Sequence, residues 1–178
     1  MLKTNNLVFT VLLIVAWIIF VALCIEAGGL IVNFAFSLYR PEFVKNLYQK
    51  LDLSEVYQLS KLTFFVIYGY IIAISVLKSW LFYTVIMLMH KMDLSKPFNH
   101  YVSKQISRIG YFTLFIGILS LVANHVVESL MPNAVINGTL NQFWGESEAF
   151  ILMGAVIYII AVIFKRGVEI QDEHDLTV

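Results

Sequence analysis

Apolar residues fall in four long runs separated by short polar stretches. The first reaches from Leu7 to about Ala27 and can continue through Gly28-Gly29 toward Phe36. The second covers 62–89 and is interrupted by Lys78; the third covers 110–127. The fourth, 149–164, is short but sharply bounded by Glu148 and by Lys165-Arg166. A membrane span takes about 20 mainly apolar residues at 1.5 Å rise each, and backbone groups in lipid must bond within their own segment. The pattern therefore predicts an all-α integral membrane protein. It forms one membrane domain over residues 1–178, with four transmembrane helices in a bundle. The expected outer loops are 37–60 and 128–148, the inner loop 90–109 and the tail 165–178. The run from Leu7 to Ile25 exceeds the roughly 7–15 residues of a signal-peptide core, and no small-x-small site precedes Glu26, so a retained first span is expected.

The connecting segments carry patterns of their own. In the first outer loop Pro41 suits a first helical turn. Phe43, Val44, Leu47 and Leu51 follow at helical spacing with Lys45, Asn46, Gln49 and Lys50 between them, which predicts an amphipathic helix on the membrane or capping the bundle. Asp52 or Ser54 then caps a helix able to run unbroken into the second span. In the inner loop Pro97 ends helical structure before it, and Asn99 caps a new helix. That helix turns Val102, Ile106 and Ile109 inward and Lys104 and Arg108 toward headgroups or solvent.

Composition narrows the class. Hydrophobic residues make up 60% and charged residues 13%, against roughly 45–50% and 25% in a typical soluble domain. This excludes a soluble single-core domain, a disordered chain and a nucleic-acid binder reliant on bulk positive charge. The net charge is zero, but its distribution is not even. Lys3, Lys91, Lys96, Lys104, Arg108, Lys165 and Arg166 fall on one side; Arg40, Lys45, Lys50 and Lys61 fall on the other. Seven against four predicts a multi-pass protein of the bacterial inner membrane with both termini in the cytoplasm. Glu128, Glu146 and Glu148, with no Lys or Arg in their loop, agree with this orientation. Trp144 and Tyr39 fit an outer aromatic belt. Asn137-Gly138-Thr139 matches a glycosylation sequon and carries little weight. Cys24, the single cysteine, reads as a small buried hydrophobe and excludes an intrachain disulfide.

Polar residues at membrane depth are the candidates for function. Glu26 lies near the outer end of the first span, and Asn124 and His125 near the outer end of the third. Lys78 stands 11 residues before Met89, roughly 16 Å above the inner boundary. The matching depths of Glu26 and His125 allow a pair able to hold a proton or a metal. The plainer reading leaves each of them wet at the interface. Lys78 snorkels, lies lower than the run suggests, or pairs with Glu26. Gly110, Gly117 and Gly154 are candidate points of close helix contact. No HExxH, phosphate loop, GxSxG or CxxC is present, and His90 and His100 stand ten residues apart across a Pro turn. No catalytic residue, metal or cofactor is expected, and the chain reads as a non-enzyme.

The segment Lys96-Pro97-Phe98 and the tail from Arg166-Gly167 through Gln171, Glu173, Asp175 and Leu176 to Val178 resemble the bacterial "domain of unknown function 2975" membrane proteins. The resemblance covers nearly the whole chain. It implies four spans and a gene neighbourhood that often includes a small helix-turn-helix regulator. Lys96 stands where a Gly usually precedes the Pro-Phe pair. The resulting expectation is a regulatory or scaffold component of the membrane. Its inner loop and tail, through Pro97, Phe98, Arg166, Gly167, Gln171, Glu173, Asp175 and Leu176, would bind a cytoplasmic partner such as that regulator, without direct contact to nucleic acid. The rival expectation is an oligomeric transporter or channel subunit that uses Glu26, Lys78 and His125, with Asn124 beside them.

Overall fold

The computed structural model describes residues 2–40, 42, 44, 47, 51–92, 97–131 and 140–176, with side chains from 7 to 173 within those ranges. The fold is all-helical. Among the described residues four long helices, α1 (Leu2–Tyr39), α3 (Lys61–Lys91), α4 (His100–Leu130) and α5 (Ser147–Leu176), accompany a short α2 (Ser54–Leu59) and a helical turn at 140–144. All four long helices are long and apolar enough to cross a membrane. They also outrun it. At 1.5 Å per residue the 38 residues of α1 span about 57 Å, against a hydrocarbon core of about 30 Å.

The helix limits follow from local chemistry. Pro41 and Pro132 each stand two residues beyond the last residue of a long helix, because a proline drives its predecessor, here Arg40 or Met131, out of helical backbone. The Asn99 side chain accepts the Val102 N–H at 2.9 Å and starts α4, as its position predicts. His90 and Lys91 close α3, where cations favour the negative end of the helix dipole. Asp52 accepts the Ser54 N–H at 2.9 Å and opens α2. The helix does not run unbroken into α3. Ser60 is extended, with φ −160° and ψ 119°, and its hydroxyl caps a fresh start by accepting the Thr63 N–H at 3.3 Å.

The first connection departs from the expected amphipathic helix. Val44, Leu47 and Leu51 are buried as that pattern requires. The Leu47 N–H donates to the Leu51 carbonyl at 3.0 Å, however, and the Leu53 N–H to the Val44 carbonyl at 3.2 Å. The first of these runs opposite to a helical bond, so Leu47 and Leu51 do not belong to one regular α-helix, and both are buried with Val44 and Leu53. Pro41, Phe43, Lys45, Asn46, Gln49 and Lys50 lie outside the described residues, as do Lys96 and the Asn137-Gly138-Thr139 sequon.

The helices pack in chain order: α1 on α3, α3 on α4, and α4 along α5 in the most extensive interface. The expected bundle is thus an open row, and α1 touches mainly one neighbour. Its remaining faces, including Leu7, Ile14, Ile18 and Ile25, are exposed apolar surface suited to lipid. This is why Cys24, expected to be buried, is exposed. Glycines set the α4–α5 separation. A Cβ on Gly117 would lie 2.8 Å from the Ile151 amide nitrogen, and one on Gly154 would lie 2.7 Å from the Leu114 nitrogen. A Cβ on Gly110 would lie 3.2 Å from the Tyr158 nitrogen. Small residues let helix backbones approach in the absence of a hydrophobic drive between helices.

Aromatic residues join α1 to α3. The Phe34 ring stacks on Tyr68 with centroids 5.2 Å apart, and the buried Tyr68 hydroxyl donates to the Leu30 carbonyl at 3.2 Å. The described part of the connection from α4 to α5 also dips inward. Leu140, Phe143 and Trp144 are buried, Trp144 to 2% exposure, so this tryptophan belongs to the core and not to an interfacial belt.

Candidate functional site

The residues of the two sequence motifs meet at the basic end of the helix row. Pro97 and the Asn99 cap fix the entry of the chain into α4, so Phe98 and His100 flank its first turn. On α5 the residues Phe164, Gly167, Val168 and Asp172 recur at helical spacing and share a face. The register set by Gly154 and Gly117 brings that face to the loop. The Phe98 and Phe164 rings pack with centroids 5.0 Å apart and an interplanar angle of 33°. Gly167 leaves room for this: a Cβ there would lie 3.1 Å from two carbons of the Phe98 ring. His100 Nε2 stands 3.0 Å from Asp172 Oδ2. That pair is exposed, 82% and 54%, and contributes little energy by itself. Val168 is buried. Ring packing therefore carries the clasp, and the polar pair fixes its orientation.

Because of the clasp α5 does not end with its apolar run. It continues through Arg166-Gly167 to Leu176. On another face Arg166 donates to Glu169 at 3.1 Å, and Lys165 stands 3.9 Å from the same carboxylate. Such pairs three and four residues apart support an exposed helix by a few tenths of a kcal/mol each. Among the sequence candidates Pro97, Phe98 and Gly167 come together. Arg166 turns to Glu169, while Gln171 and Glu173 are exposed along the extension. The backbone of Asp175 and Leu176 is helical, but their side chains lie outside the described residues.

The intramembrane candidates do not converge. Lys78 is half-buried at the middle of α3. Its ammonium donates to the Phe143 carbonyl at 3.5 Å and lies 5.4 Å from the centre of the Phe150 ring. His125 is exposed and stands 3.7 Å from Glu128, while Asn124 donates to the other oxygen of Glu128 at 3.0 Å. This trio is local to the last turns of α4. Glu26 is half-buried on α1 and forms no ion pair with Lys78 or His125. Among the described residues no three His, Cys, Asp or Glu side chains gather as a metal site.

Sequence reasoning passed over a cleft of about 800 Å³ between α3 and α4. Trp80, Thr84, Met87 and Lys91 line it from α3; Tyr101, Gln105, Arg108, Phe112 and Phe115 line it from α4. Both sets have intervals of three and four, the signal of a shared helix face; α3 runs from Trp80 to Lys91, and α4 runs back from Phe115 through Arg108 and Gln105 to Tyr101. Tyr101 bridges the two helices by donating to the Met87 carbonyl at 3.1 Å.

The fold defines an all-helical protein with four helices of membrane-crossing length and apolarity. The chain belongs to the family described as Protein of unknown function (DUF2975), whose model matches residues 4–178. No curated protein and no solved structure matches it.

Proposed function

We propose that this protein is a non-enzymatic membrane scaffold whose clasped α5 extension presents a docking helix to a cytoplasmic partner. The supporting observation is the clasp itself: Phe98 against Phe164 and Gly167 holds a polar helix in one direction beyond the apolar run. An ordered helix loses less conformational entropy on binding than a flexible tail. Ile170 is exposed beside Gln171 and Glu173, so the extension carries an apolar anchor within a polar surface. The excess of basic residues at this end favours the cytoplasmic side of a bacterial inner membrane. A small helix-turn-helix regulator, of the kind that the family resemblance implies in the gene neighbourhood, is the partner we favour. The rival reading of a polar transport path loses support, because Lys78 is engaged by Phe143 and stands apart from Glu26 and His125.

Co-purification of the full-length protein with the neighbouring regulator tests this. The intact chain should retain the regulator. Deletion of residues 167–178 should abolish retention, and Ile170→Asp, which leaves Phe98 and Gly167 in place, should weaken it about tenfold or more. No association with the intact chain, or equal association with both variants, would overturn the proposal.

A further inference from the structure

We propose that the cleft between α3 and α4 is a binding site for an anionic phospholipid, with the headgroup phosphate at Lys91 and Arg108 and one acyl chain along the aromatic walls. Three observations carry it. The cleft of about 800 Å³ lies within the range of sites that enclose a small molecule or a chain. Its walls change along their length: Trp80, Tyr83, Phe112 and Phe115 are aromatic, whereas Lys91, Gln105 and Arg108 line the half nearer the α3–α4 connection, with Arg108 about 10 Å further along α4 than Tyr101. Its length also fits. From Trp80 to Lys91 the α3 wall rises about 16 Å, close to half of the 30 Å hydrocarbon core. A chain lying in it would therefore span one leaflet and place its phosphate at the charged end.

The basic groups are available for this. Among the described residues Arg108 has no hydrogen-bond or ion-pair partner, although its guanidinium can bind phosphate through two parallel bonds. Lys91, which lines the cleft, stands 5.4 Å from the centre of the Tyr101 ring, a contact that leaves its charge without a counter-ion. Gln105 sits between them as an additional donor. A zwitterionic lipid such as phosphatidylcholine would offer a phosphate but bring its own cation beside Lys91 and Arg108, which weakens the net attraction. A free anion would meet the cations but leave the walls unused. An anionic amphiphile satisfies both, and basic pockets between membrane helices are suited to such headgroups.

Native mass spectrometry of the full-length protein in detergent, with phosphatidylglycerol, phosphatidylcholine or inorganic phosphate added, tests the assignment. Phosphatidylglycerol adducts should persist about tenfold more strongly than phosphatidylcholine adducts, and phosphate should not displace them. The Lys91→Ala/Arg108→Ala variant should reduce retention of phosphatidylglycerol about thirtyfold. Lys104→Ala/Lys165→Ala removes as much charge from the same end outside the cleft and should leave retention within about twofold. Met87→Trp, which fills the cleft and spares both cations, should lower retention about tenfold. Equal retention of the two lipids would overturn the proposal. So would equal losses in both double variants, displacement by phosphate, or a homodimer that Met87→Trp dissolves.

Discussion

Gly154→Ala should lower the stability of the folded protein by about 2–3 kcal/mol, and Gly117→Ala by a similar amount. The new methyl at position 154 would lie 2.7 Å from both the Leu114 amide nitrogen and the Leu114 Cγ. At 117 it would meet the Ile151 nitrogen at 2.8 Å and the Ser147 carbonyl oxygen at 3.0 Å. Backbone atoms cannot turn aside as a side-chain tip can, so α4 and α5 must part along their length. The two changes press on one interface, and their combined effect should depart from the sum. Gly110→Ala should cost less, because its nearest backbone contact is 3.2 Å. Gly69→Ala is the control: nothing lies within 4 Å of a Cβ there, and alanine favours a helix interior by up to about 1 kcal/mol. Denaturant titration in detergent micelles reads these differences. A Gly154→Ala protein as stable as Gly69→Ala would contradict the packing described.

Lys78→Glu should destabilise the protein by about 2–4 kcal/mol, whereas Lys78→Met should change stability by about 1 kcal/mol or less. The ammonium faces a carbonyl oxygen and the π-face of Phe150, both regions of negative potential. A carboxylate in the same place is repelled by both. Methionine loses the attraction but also the cost of holding a charge at this depth, so its two contributions nearly offset. Unfolding measurements on the three proteins decide the matter. If glutamate is tolerated as well as methionine, Lys78 does not hold the α4–α5 connection in place.

The four long helices were legible because runs of some 20 apolar residues have one satisfactory structure in lipid. The start of α4 was equally plain, since Asn99 after a proline is a strong cap signal. The glycine contacts were legible as candidates but not in their pairing. Which residue of α5 faces Gly117 depends on the helix register, which no local pattern encodes. The same gap concealed the partner of Lys78. The Phe143 carbonyl is 65 residues further along, on a connection whose inward dip depends on burying Leu140, Phe143 and Trp144. Trp144 fits an interfacial belt by its neighbours Glu146 and Glu148, yet it is buried with Leu140 and Phe143. The clasp was half legible. Phe98 and Gly167 stood out within motifs, yet their first reading was outward, toward a partner, and their contact is with each other. The aromatic cleft escaped notice because each of its residues alone reads as ordinary lipid-facing surface.

Phe98 clasps the extension of α5, and we propose that this clasp faces the cytoplasm. The most direct measurement uses Phe98→Cys/Gly167→Cys in a Cys24→Ala background, which leaves no other thiol. A short membrane-impermeant bis-maleimide is added to membrane vesicles of each orientation. The account predicts an intramolecular cross-link in inverted vesicles and none in right-side-out vesicles. A cross-link only in right-side-out vesicles, or single labelling of each thiol without a cross-link in inverted ones, would contradict it.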